Sequence, residues 1–165
     1  MTLTTHAIVG AAMASLVPGQ PVLGFALGFA SHFAIDSIPH WAEGTLLLRS
    51  VVYDPEHELE TDMQLGKNFI YDLAVLAADS LLGVFGALLI LFYFFHVPFL
   101  IVLMGAVAGQ LPDALQFVYF KTRWAFMTPM QIFHGAIQEE HESLLYLLRE
   151  VGLIGAVVVM GLLGG

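Results

Sequence analysis

Nine histidines and aspartates lie within apolar runs or at their ends: His6, His32, Asp36, His40, Asp72, Asp79, Asp113, His134 and His141. Gln110 and Gln138 stand beside them. An ionisable group inside a membrane helix costs about 2.5–3.5 kcal/mol on insertion scales, so each one needs a reason to be there. Their spacing supplies one. His32 and Asp36 are one helical turn apart and share a face, and His40 continues the series past Pro39. Asp72 and Asp79 are seven apart, and Gln110 and Asp113 are three apart. His134, Gln138 and His141 stand at i, i+4 and i+7. Each run therefore turns one polar stripe in one direction, as a site shared between helices requires.

Imidazoles alternating with carboxylates make a hard-to-borderline environment for a divalent metal. The chain has no cysteine, so neither a disulfide nor a thiolate site exists. Zinc heads the candidates, and manganese, iron and magnesium are also compatible. The expected ligands are His6, His32, Asp36, His40, Asp79, Asp113 and His134. His141 and Gln138 are expected to orient those ligands from behind. Asp72 is the candidate general base, and Arg123, Lys121 and Gln110 are candidates for holding a substrate.

These residues need elements to position them. The chain is 165 residues long, 58% hydrophobic and only 12% charged, against about 25% charged in a soluble domain. Its mean hydropathy is +0.82. The reading is a single all-α integral membrane domain spanning residues 1–165. Five apolar segments are expected: about Leu3–Val17, Pro21–Ile38, Asn68–Phe95, Pro98–Phe120 and Met130–Leu163, the last with a polar first half. The first is short, since a span needs about 20 residues. Any segment in lipid must be helical, because its backbone has no other partners there.

The connections alternate. Residues 18–20 and 96–98 are tight turns carrying Pro, whereas 39–67 and 121–129 are longer and polar. Residues 42–67 form an acidic loop that includes the run DPEHELETD at Asp54–Asp62. Arg49, Lys67, Lys121 and Arg123 all fall on the elaborated side. By the positive-inside rule that side, with the N-terminus, is cytoplasmic, in a multi-pass protein of the inner membrane. The candidate site residues gather at the same ends of the segments. With only five Lys and Arg and a net charge of −9, a basic nucleic-acid footprint is excluded. The expected partner is the lipid bilayer.

The run GFALGFASHFAIDSIPHW, with Gly24, Gly28, Ser31, His32, Asp36, Pro39 and His40, resembles the signature of the membrane-bound metal-dependent hydrolases of the YdjM-like group. The opening THAIVGAA, with His6, resembles that group's N-terminal His motif. GAVAGQLPDAL, with Leu111, Pro112 and Asp113, resembles its L-P-D motif. The group is distantly similar to the zinc-dependent phospholipase C and single-strand nuclease superfamily. The resemblance implies a His/Asp metal cluster that hydrolyses phosphoester or lipid-linked substrates. Longer members carry P-D-x-D-H where this chain has Ala114, Leu115 and Gln116 after Asp113, so it resembles the shortened members. Two other readings use the same residues: a metal or proton transporter subunit, and a non-catalytic membrane protein locked by a polar or metal cluster.

Overall fold

The computed structural model describes residues 1–41, 47–52, 62–138, 140–141 and 143–164. It contains six α-helices among these residues: α1 (Leu3–Ser15), α2 (Pro21–Asp36), α3 (Phe69–Ala87), α4 (Phe99–Thr122), α5 (Thr128–Ile137) and α6 (Leu147–Gly164). Four two-residue strands lie between them: β1 (His40–Trp41), β2 (Val51–Val52), β3 (Asp62–Met63) and β4 (Glu140–His141). β1 pairs with β4 in parallel, and β2 pairs with β3 in antiparallel. The expected acidic loop falls largely at 42–46 and 53–61, outside the described residues.

α1 is the axis of the bundle. Its sequence, LTTHAIVGAAMAS, is small and apolar around the whole circumference, which suits a helix surrounded by others. It packs against α2, α3, α4 and α6. Glycine sets the spacing. A Cβ added to Gly10 would meet Gly105 O at 2.6 Å and Gly109 Cα at 2.8 Å, so the α1 and α4 backbones touch. A Cβ on Gly83 would come within 2.6 Å of Thr4 Cα, so α3 closes on α1 in the same manner. Helices whose surroundings are apolar associate through such small-residue contacts. The first helix, short as it is, forms the core of the bundle.

Among the described residues two stretches are long and apolar enough to cross a membrane: Phe69–Phe94, which is α3 extended by a π-helical segment Leu88–Phe94, and Phe99–Thr122. They have 26 and 24 residues, spanning about 39 Å and 36 Å at 1.5 Å per residue. The outer face of α3 is apolar and exposed, with Leu81 at 68% and Phe85 at 65%. α1 and α2, with 13 and 16 residues, are shorter. The expected fifth segment is corrected: it is two helices, α5 and α6, with β4 and a 3-10 turn at Leu144–Tyr146 between them. The polar stretch from Gln138 to Ser143 interrupts the apolar run there.

Candidate metal centre

Five of the expected ligands converge, from four helices. His6 comes from the first turns of α1, His32 and Asp36 from the last turns of α2, Asp113 from α4 and His134 from α5. α2 starts at Pro21, where a missing N–H costs nothing, and ends three residues before Pro39, so its C-terminal turn carries His32 and Asp36 on one face. α5 is set by Pro129 in its first turn and presents His134 in its last.

Asp36 is the hub. Its Oδ1 lies 3.2 Å from His6 Nε2, and its Oδ2 lies 3.2 Å from His32 Nε2 and 3.0 Å from His134 Nε2. His32 Nε2 and His134 Nε2 are 3.0 Å apart, and Asp113 Oδ1 is 3.6 Å from His32 Nε2. The His6 and His32 rings stack at 3.9 Å. The amino nitrogen of Met1 approaches Asp36 Oδ1 at 3.8 Å. His6, His32, Asp36 and His134 are fully buried; the Asp113 side chain is 28% exposed.

The chemistry of these contacts fits a cation better than a hydrogen-bond network. His32 Nδ1–H donates to the Gly109 carbonyl at 2.9 Å, so in the neutral ring its Nε2 carries the lone pair and faces the cluster. His6 Nε2 and Asp36 Oδ1 are close, yet neither has a hydrogen-bond partner of good geometry among the described residues. His134 Nε2 faces His32 Nε2, Asp36 Oδ2 and the Gln138 amide nitrogen, the last at 3.3 Å, and one ring nitrogen cannot satisfy all three. A tetrahedral ion with bonds of about 2.0–2.1 Å would hold neighbouring ligand atoms about 3.3 Å apart, close to the separations found. Two overlapping triads, His6/His32/Asp36 and His32/Asp113/His134, share His32. Its single free lone pair allows one bond, so together they describe one centre that could hold a metal ion.

Gly109 links fold and site. A Cβ there would overlap the His6 carbonyl oxygen, so only glycine lets α4 lie this close to α1. The same residue supplies the carbonyl that orients His32. Pro112, inside α4, removes one rung of the helix ladder on the adjacent turn.

Most of the other expected site residues make their contacts elsewhere. Asp79 caps α1: its carboxylate accepts from Leu3 N at 2.6 Å, Thr4 Oγ1 at 2.6 Å and Thr4 N at 3.3 Å. Asp72 is buried and accepts from the backbone N–H groups of Arg49 and Ser50 and from the Ser50 hydroxyl, so its carboxylate is turned to the segment at Arg49–Ser50. Gln110 accepts from Ser80 Oγ at 2.6 Å and donates to Leu3 O, tying α1, α3 and α4 together. Lys121 donates to Asp62 at 2.7 Å and to the Met63 carbonyl, so it anchors β3. Arg123 ends α4 with φ 51° and lies over the Tyr119 and Phe120 rings. Ten residues separate it from Asp113, about 15 Å along the helix. His40 is buried in β1, with Nδ1–H donating to Ile38 O at 2.9 Å, outside the cluster. His141 contributes backbone to β4, opposite Trp41. Gln138 does lie beside the cluster, against His134.

The sequence reading missed Glu150 and Gln131, both buried. Glu150 is the only acid in α6, which apart from the neighbouring Arg149 is apolar, and a carboxylate in such a helix is the signal that marks it.

No family model, curated protein or solved structure matches the chain.

Proposed function

We propose that this protein is a membrane-embedded, metal-dependent hydrolase. Its centre sits at the cytoplasmic boundary of the inner membrane, with zinc as the metal and a phosphoester or lipid-linked substrate. The observation that carries this is the meeting of three imidazole Nε2 atoms on one buried carboxylate, Asp36, in a geometry that hydrogen bonding does not satisfy. The resemblance of the His6, His32/Asp36 and Asp113 motifs to the YdjM-like hydrolases supports the same reading. So do the outward apolar face of α3 and the grouping of Arg49, Lys67, Lys121 and Arg123 at the site's end of the chain.

A divalent ion bound here would lower the pKa of a coordinated water toward about 7. His32, fixed by Gly109, and His6 and His134 would present their lone pairs inward. Asp113 is the member of the group that reaches the surface, so water and substrate would approach along its edge. Toward the other end of the bundle the buried core is Ile8, Ala11, Leu91, Val102 and Val157, all apolar. A transport route would need polar steps there, so the hydrolase reading is preferred to the transporter.

Metal analysis of the purified protein tests the centre. About one divalent ion per chain is expected in wild type, with loss in His32→Ala and Asp36→Ala. A wild type without stoichiometric metal would sink the proposal. The near-closure of the centre, with Asp113 alone reaching the surface, favours a second reading, a metal that staples four helices. Stoichiometric metal with no turnover of phosphodiester or phospholipid substrates would support that reading.

A further inference from the structure

The first turn of α1 is held by two carboxylates from two different helices. A helix start leaves its first N–H groups without intrahelical partners. Here every one is accounted for. Asp79 of α3 accepts from Leu3 N and Thr4 N. Thr2 Oγ1 accepts from Thr5 N, and the Thr2 carbonyl accepts from His6 N. Glu150 of α6 then holds Thr2 itself: its Oε2 accepts from Thr2 N at 3.0 Å, Thr2 Oγ1 at 2.7 Å and Thr5 Oγ1 at 3.0 Å. Glu150 is 1% exposed, and its Oε1 has no partner among the described residues. His6 follows Thr5 directly, and its ring has no hydrogen bond of good geometry to fix it. Its position is therefore inherited from the backbone of this turn and from stacking on His32.

We propose that Asp79 and Glu150 form a carboxylate clamp on the first turn of α1 that sets His6 in the metal centre. Both are positioning residues. The proposal rests on the reading of the cluster as a metal site. Negative charge at a helix N-terminus also complements the helix dipole, so the clamp secures the turn without capping by solvent. Only Oε2 of Glu150 is used, so an amide oxygen can take its place. Glu150→Gln should therefore keep the clamp, whereas Glu150→Ala should release it.

The test is a double-mutant cycle on the full chain in detergent, titrated with Co2+ and followed by its visible bands. Partners that orient ligands are typically worth 10–100-fold in metal affinity. Glu150→Ala should weaken Co2+ binding about 10-fold or more and change the band pattern to that of His6→Ala. The double variant should be little worse than either single one, and Glu150→Gln should bind nearly as wild type does. If Glu150→Ala cannot be purified folded, Thr5→Val, which removes one donor, should show a smaller loss in the same direction. Wild-type affinity and spectrum in Glu150→Ala or Thr5→Val, or additive losses in the cycle, would overturn the clamp and leave the metal centre standing. A wild type that gives no Co2+ bands would overturn both.

Discussion

Asp72 and Asp36 are both buried aspartates near the same end of the bundle, yet they meet different fates. Asp72 faces N–H and O–H donors from Arg49 and Ser50, so its charge is met by hydrogen bonds. Asp36 faces three imidazole nitrogens, and the ring of His32 is held by the Gly109 carbonyl with its Nε2 toward the carboxylate. The first arrangement is complete without an ion, and the second could hold one. Asp72→Ala should therefore leave the Arg49 and Ser50 N–H groups unsatisfied and cost about 1–3 kcal/mol of stability. Metal content should stay at the wild-type level. Chemical unfolding in detergent, with metal analysis alongside, checks both halves, and loss of metal would restore Asp72 to the site. Spacing made all these carboxylates legible as inward-facing. It could not tell a ligand from a cap, because periodicity fixes the face of a helix and not what stands opposite. Asp79 shows the limit: its seven-residue offset from Asp72 places both inward, but what Asp79 meets is the start of α1.

At the scale of elements, the breaks were the most legible feature. Pro18, Pro39 and Pro98 end or begin helices where their missing N–H and fixed φ require it. The division of the fifth segment into α5 and α6 was not legible, since a few polar residues between two apolar runs read as a wet helix start. Close packing was signalled only by composition. The register of Gly10 against Gly105 and Gly109 depends on where two helices cross, which one strand of sequence does not contain. Gly109→Ala should push α4 away from α1, since its Cβ meets the His6 carbonyl. Overpacking of this kind costs about 1–3 kcal/mol. The same displacement moves the carbonyl that orients His32, so metal affinity should fall together with stability. Thermal unfolding with and without added Zn2+ should show a lower midpoint and a smaller metal-induced shift. Loss of stability with an unchanged metal-induced shift would separate the two roles.

The whole molecule is polarised from end to end and from inside to outside. Its His/Asp cluster lies at one end, the hydrophobic core beyond it is apolar, and the outward faces of α2, α3 and α6 carry large side chains such as Val22, Leu81, Phe85 and Leu162. If lipid covers these faces, a photoactivatable phospholipid in reconstituted vesicles should label peptides containing Leu81 and Phe85. Peptides from the α1 core, such as Ala7 to Ala14, should remain unlabelled. Equal labelling of both, or labelling of neither, would contradict the membrane assignment. The absence of cysteine makes the companion test simple, because a single introduced thiol at Lys67 or Tyr93 reports the side it faces.

The ligands also have an order in time. His6, His32 and Asp36 are made first, Asp113 follows some 77 residues after Asp36, and His134 follows 21 residues after that. The hub carboxylate therefore emerges long before two of its neighbours exist. During synthesis, α1 and α2 must wait as a polar, half-built pair while α3 and α4 are made. The cluster can close only when the short α5 has left the ribosome, so an ion held by all five residues would be loaded at the last stage of assembly.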